Sequence, residues 1–271
     1  MADSSPVKPK KLPFWGTLGA AYGAFFSNLG TILGLAGRWL IVLIPMYAAY
    51  TWFLYPQLFA LYEAVHTGAP PPTDTSMTII GVVFWLAILI PLSAIAVGWH
   101  RYLLRHEAPV QSSGFGFDHV TKSYAIAALI IGVIGHVPTV LQQLTAGGTS
   151  DLYKALQVIA IIGVYVALAI TARLSIALPA IAVEGPGAKL SEAWAATRGN
   201  TIRLFFGLML SVLPMIASSF LSFFLLGVIP DRMVYSIAAS LTGIVSLLLL
   251  TIGVGYWSFA WRHFHNVTWQ S

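Results

Sequence analysis

The side chains here that could ligate a metal, move a proton or hold an anion fall in few places. His100, His106, Glu107, Asp118, His119, His263 and His265 lie at the ends of apolar runs or in the connections between them. Such groups can bind a divalent cation or activate water. Their spacing matches no ligand set. His263 and His265, two apart on a helix, point to different sides. His106-Glu107 leads through Ala108-Pro109 into a Ser/Gly-rich loop rather than to a second ligand-bearing helix. With no nucleophile beside a base, no Gly-rich phosphate loop and no carboxylate pair, the expectation is a protein that is not an enzyme and uses no cofactor or metal. His136, in Ile134-Gly-His-Val-Pro138, is different because it lies inside an apolar run. It is a candidate buried polar site, since ionisable groups in hydrocarbon are costly. Its ordinary alternative is a neutral ring donating to a neighbouring carbonyl.

Arg101, Arg173 and Arg262 each close an apolar run, and Trp99 and Trp261 stand beside two of them. A guanidinium can hold phosphate with two hydrogen bonds, and tryptophan favours the membrane–water boundary. These five residues are expected to anchor the chain or meet lipid headgroups. Prolines 45, 56, 91, 138, 179 and 214 fall within or beside the runs. Each removes a backbone donor. Kinked helices can line transport cavities, and His136, Gln142, Ser218 and Ser219 would be the lining groups.

The elements that carry these residues follow from composition. Of 271 residues 58% are hydrophobic and 8% charged, against about 25% charged in a soluble domain. That excludes a soluble enzyme, a disordered chain and a nucleic-acid-binding module, despite a net charge of +5. Cysteine is absent, so disulfide and thiol chemistry are excluded. Six runs reach the roughly 20 residues needed to cross a bilayer: Leu40–Tyr62, Met77–Gly98, Tyr124–Leu144, Leu156–Ala177, Leu204–Ile229 and Met233–Trp257. The expected fold is all-α and polytopic, with six transmembrane helices as three hairpins and interfacial amphipathic helices before the first and fifth spans. Residues 1–12 form an N-terminal tail, 13–265 a single membrane domain and 266–271 a C-terminal tail. Of the 14 Lys and Arg residues, all but Lys154 and Arg232 fall on one side of this topology. The excess of Lys and Arg in cytoplasmic loops then places both termini in the cytoplasm.

Residues 12–37 carry no charge, and Gly16, Gly19, Gly23, Ser27, Gly30 and Gly34 recur three or four apart. This stripe suits close helix packing, so Gly19, Gly23, Gly30 and Gly34 are expected packing positions. The region reads as an interfacial or partly re-entrant helix, with a seventh span as the alternative. Leu18-Gly-Ala-Ala-Tyr22-Gly-Ala-Phe-Phe-Ser-Asn28 aligns without gaps with Leu190-Ser-Glu-Ala-Trp194-Ala-Ala-Thr-Arg-Gly-Asn200. The pairs Tyr22/Trp194 and Asn28/Asn200 mark an internal repeat ahead of the first and fifth spans.

Arg173-Leu-Ser-Ile-Ala-Leu-Pro179-Ala-Ile-Ala-Val-Glu184-Gly, then Leu190-Ser-Glu-Ala-Trp194-Ala-Ala-Thr-Arg-Gly-Asn200, together with Gly98-Trp-His-Arg101 and Glu107-Ala-Pro109, form a recognisable pattern. It resembles bacterial six-helix proteins similar to the membrane domain of some glycerophosphoryl diester phosphodiesterases. The resemblance implies a bacterial inner-membrane location and six spans, without phosphodiesterase activity and without catalytic residues to carry over. The functional expectation is a non-enzymatic protein that organises membrane lipids, another membrane protein or a second copy of itself. A transporter or channel for a small or lipidic solute is the alternative.

Overall fold

The computed structural model describes residues 10–69, 76–107, 118–145 and 150–266, and the regular structure among them is helical. The order is α1 (Phe14–Ser27), α2 (Leu29–Thr67), α3 (Ser76–Arg105), α4 (His119–Thr145), α5 (Asp151–Leu174), α6 (Ala177–Ala182), α7 (Leu190–Ala196), α8 (Thr201–Val228) and α9 (Arg232–His265). An apolar chain in hydrocarbon must satisfy every backbone group internally, and a helix does so within one segment. Six stretches are long and apolar enough to cross: α2, α3, α4, α5 continued through α6, α8 and α9. They pair as the three hairpins α2/α3, α4/α5 and α8/α9.

Polar residues set the helix starts. Asp118 accepts from the Thr121 N–H at 2.8 Å ahead of α4, and Asp231 from the Val234 N–H at 2.8 Å at the start of α9. Each satisfies one donor that the first turn leaves open. α2 ends at Gly68 with φ +70, a left-handed cap that glycine adopts without strain.

α9 is the hub, packing on α8, α2, α1, α3 and α6. Its inner half is lined by Gly253, Gly255, Ser258 and Ala260, all buried, which lets neighbouring helices approach closely. The largest core cluster gathers there, around the fully buried Trp99, Tyr256 and Trp261.

Two boundaries differ from the sequence expectation. The first spanning helix begins at Leu29 and runs 39 residues, about 58 Å at 1.5 Å per residue. The glycine stripe is therefore cut at Asn28, with Gly16, Gly19 and Gly23 on α1 and Gly30 and Gly34 on α2. The stripe also turns outward. A Cβ built on Gly19, Gly23, Gly30 or Gly34 meets no atom within 4 Å. These glycines do not pack inside the chain as expected. The opposite face of α1, with Thr17, Leu18, Ala21 and Phe25, is the one buried.

Candidate functional site

The chemistry-bearing side chains gather at one end of the bundle, where α1 and α6 meet the ends of α3 and α9 and α7 meets the end of α5. The local rule is simple: short helices leave carbonyls open, and arginines fill them. Arg101 Nε donates to the Ala182 carbonyl at 2.9 Å, and Arg105 donates to the Val183 carbonyl; these are the last carbonyls of α6. Arg173 donates to the Trp194 carbonyl near the end of α7 and to Thr197 Oγ1 at 3.0 Å, its guanidinium lying 3.5 Å from the Trp194 ring centroid. The arginines at the ends of α3 and α5 thus hold α6 and α7 in place. Arg262 is different: it is exposed and stacks over Phe259 at 5.2 Å.

Trp99 and Trp261 are not boundary residues. Both are 0% exposed. Trp99 Nε1–H donates to the Thr251 carbonyl at 3.0 Å and Trp261 Nε1–H to the Pro186 carbonyl at 2.9 Å. A buried indole must find an acceptor, and both find one on the neighbouring backbone.

The two copies of the repeat occupy matching joints. Asn28 precedes α2 and Asn200 precedes α8, with φ/ψ of −130/31 and −119/9. Asn28 accepts from the Tyr102 hydroxyl at 2.6 Å. Asn200, 1% exposed, accepts from the Leu12 N–H and donates to the Lys10 carbonyl, both at 2.8 Å. Arg203 donates to the Leu12 carbonyl at 2.5 Å, and His263 Nε2–H to the Lys11 carbonyl at 3.1 Å. Lys10 donates to the His263 carbonyl at 2.8 Å and to Asn266. Residues 10–12 are thereby strapped beside the end of α9. The aromatic pair diverges: Tyr22 is half-buried, whereas Trp194 is exposed beneath Arg173.

Two clefts flank α1. One, of 490 Å³, is lined among others by Gly16, Leu104, His106, Phe259, Arg262 and His263. The other, of 610 Å³, is almost wholly apolar, with Phe14, Trp15, Ile202, Phe206 and Leu210 around Arg203.

His136 is not buried. It is exposed, its Nδ1–H donates to the Gly132 carbonyl at 2.8 Å, and it lies 5.0 Å from the Trp85 ring. The groups expected to line a transport path do not converge. Gln142 and Ser219 face outward, while Ser218 donates to the Thr242 carbonyl at 3.2 Å. Among the described residues, no three His, Asp or Glu side chains come together as a metal site.

His100, expected with the other groups at the ends of apolar runs, is instead fully buried. His100 is 0% exposed, with Nδ1 2.7 Å from Ser258 Oγ and Nε2 3.2 Å from the Tyr124 hydroxyl. It joins α3, α9 and α4. The available signal was the small-residue run Gly253-Val-Gly-Tyr-Trp-Ser258, which makes room for a ring on the facing helix.

Six apolar helices in hairpins define a multi-pass α-helical membrane protein. Comparison with protein-family models, characterised proteins and solved structures finds no match. The resemblance to the phosphodiesterase membrane domain therefore gains no support beyond the six helices.

Proposed function

We propose that this is a non-enzymatic, multi-pass protein of a bacterial inner membrane, with both termini in the cytoplasm, that organises anionic lipid through its basic end. The observation that carries this reading is the convergence of Lys10, Arg101, Arg105, Arg173, Arg203 and Arg262 on one end, beside an apolar groove. The cytoplasmic leaflet is anionic, and each basic residue near it contributes about 1 kcal/mol of attraction. At the other end the described Lys and Arg residues are Arg232, which donates twice to the Trp52 carbonyl at 3.1 and 2.6 Å, and Lys154, which pairs with Asp151 at 3.4 Å. Lipid that co-purifies with the protein from mixed phosphatidylethanolamine and phosphatidylglycerol membranes tests the reading. Enrichment of phosphatidylglycerol over the bulk membrane is expected; bulk composition in the retained lipid would contradict it.

A further inference from the structure

We propose that the cleft between the start of α1 and the ends of α3 and α9 binds a phosphate ester, in the first place the headgroup of an anionic phospholipid, with Arg262 as its principal ligand. The inference rests on the lipid reading above and gives it a site. Four observations support it. Arg262 and His106 are exposed on this 490 Å³ cleft, whereas Leu104 behind them is 1% exposed, so the lining passes from cationic to apolar. That gradient matches a phosphate joined to a glycerol ester better than a free ion. The Arg262 guanidinium carbon lies 5.2 Å from the Phe259 ring centroid, and its N–H groups meet no acceptor among the described residues, so they are available for the two-pronged contact a phosphate offers. Among the described residues no carboxylate pairs with Arg262 or with the nearby Lys10, whose ammonium rests on the His263 carbonyl and the Asn266 amide oxygen. Among the described residues, the positive charge of the cleft is thus not neutralised. Finally, Gly16 keeps the wall open: the nearest atom to a Cβ there is Pro13 Cβ at 4.0 Å.

Arg101 and Arg173 could not take this part without giving up the carbonyls of α6 and α7. Arg262 has no such duty among the described residues.

Native mass spectrometry of the full chain in neutral detergent, with phosphatidylglycerol added, provides the test. Inorganic phosphate is the competitor. Arg262→Gln removes the ligand, Gly16→Leu fills the cleft, and Arg198→Gln removes the same charge from an exposed residue beyond α7. We expect phosphatidylglycerol affinity to fall about tenfold in Arg262→Gln and in Gly16→Leu, and to stay within about twofold in Arg198→Gln. Equal losses in Arg262→Gln and Arg198→Gln would mean diffuse attraction and would overturn the site. Retention by Arg262→Gln at the level of the unmodified protein would overturn the site while leaving the lipid reading intact. Failure of the unmodified protein to bind either phosphatidylglycerol or phosphate would overturn both. Displacement of the lipid by inorganic phosphate at comparable concentration would support the phosphate site and assign it to a soluble ester.

Discussion

Pro214 has no N–H to give the Leu210 carbonyl, and Tyr22 of α1 supplies an O–H instead, at 2.7 Å. Pro56 leaves the Trp52 carbonyl open in the same way, and Arg232 fills it. Prolines that could have kinked a transport path thus serve as docking points for neighbouring side chains, as membrane helices allow. Tyr22→Phe should lower stability by about 1–2 kcal/mol, because a carbonyl is left unpaired; thermal unfolding in detergent measures it. Asn200→Ala should cost a similar 1–3 kcal/mol by about the same reasoning, and it should also expose the chain near Lys11 to trypsin. Asp118 gives a pH signature. Burial pushes its carboxyl up, but the Thr121 N–H and hydroxyl, Arg101 and His119 together hold it below its ordinary value of 3.8. A depressed folded value stabilises the fold above the unfolded pKa, and this contribution is lost as pH falls through the folded one. Asn at this position keeps the capping oxygen and removes the charge. The gap in unfolding midpoint between the natural protein and Asp118→Asn should therefore be widest near neutral pH and close below about pH 4.

Spacing three and four apart put the glycine stripe on one helical face, whereas the structure divides it between α1 and α2, and spacing could not say which way either face points. Asn28 interrupts the helix with no proline or glycine at the break, so the signal there was Asn28 itself and its match to Asn200. Outward glycines and inward ones now make opposite predictions. Gly23→Ala and Gly30→Ala should leave the unfolding midpoint unchanged or raise it, since a methyl meets nothing and helix propensity improves. Gly207→Ala should lower stability by about 1–3 kcal/mol, because its Cβ would collide with the hydroxyl of Tyr256, a fully buried ring tied to the Arg203 carbonyl at 3.1 Å. Thermal unfolding of the three variants side by side checks both directions. The arginine tips were visible as charges closing apolar runs. That Arg101 and Arg173 serve the carbonyls of α6 and α7 depends on short helices folding back across α3 and α5, a tertiary fact that local periodicity does not encode.

At the scale of the molecule, hydropathy and the one-sided distribution of Lys and Arg were enough to read six spans, because the bilayer sets their length and the charges mark their ends. Burial was harder to read. Trp99, Trp261 and His100 sit beside charged residues in sequence, where boundary residues belong, but α9 projects far enough to cover Trp99 and His100, and the turn at Gly185 and Pro186 closes over Trp261. The strap of residues 10–12 against Asn200, Arg203 and His263 brings the beginning of the described chain beside its end. The orientation proposed above turns this basic end to the anionic cytoplasmic leaflet. Because the chain has no cysteine, single cysteines can be placed at Lys11, Ser150 and Asn266 and challenged with a membrane-impermeant maleimide in intact spheroplasts. That orientation predicts labelling at position 150 alone, with positions 11 and 266 reacting only after the membrane is opened; labelling of position 11 or 266 in sealed cells would contradict it.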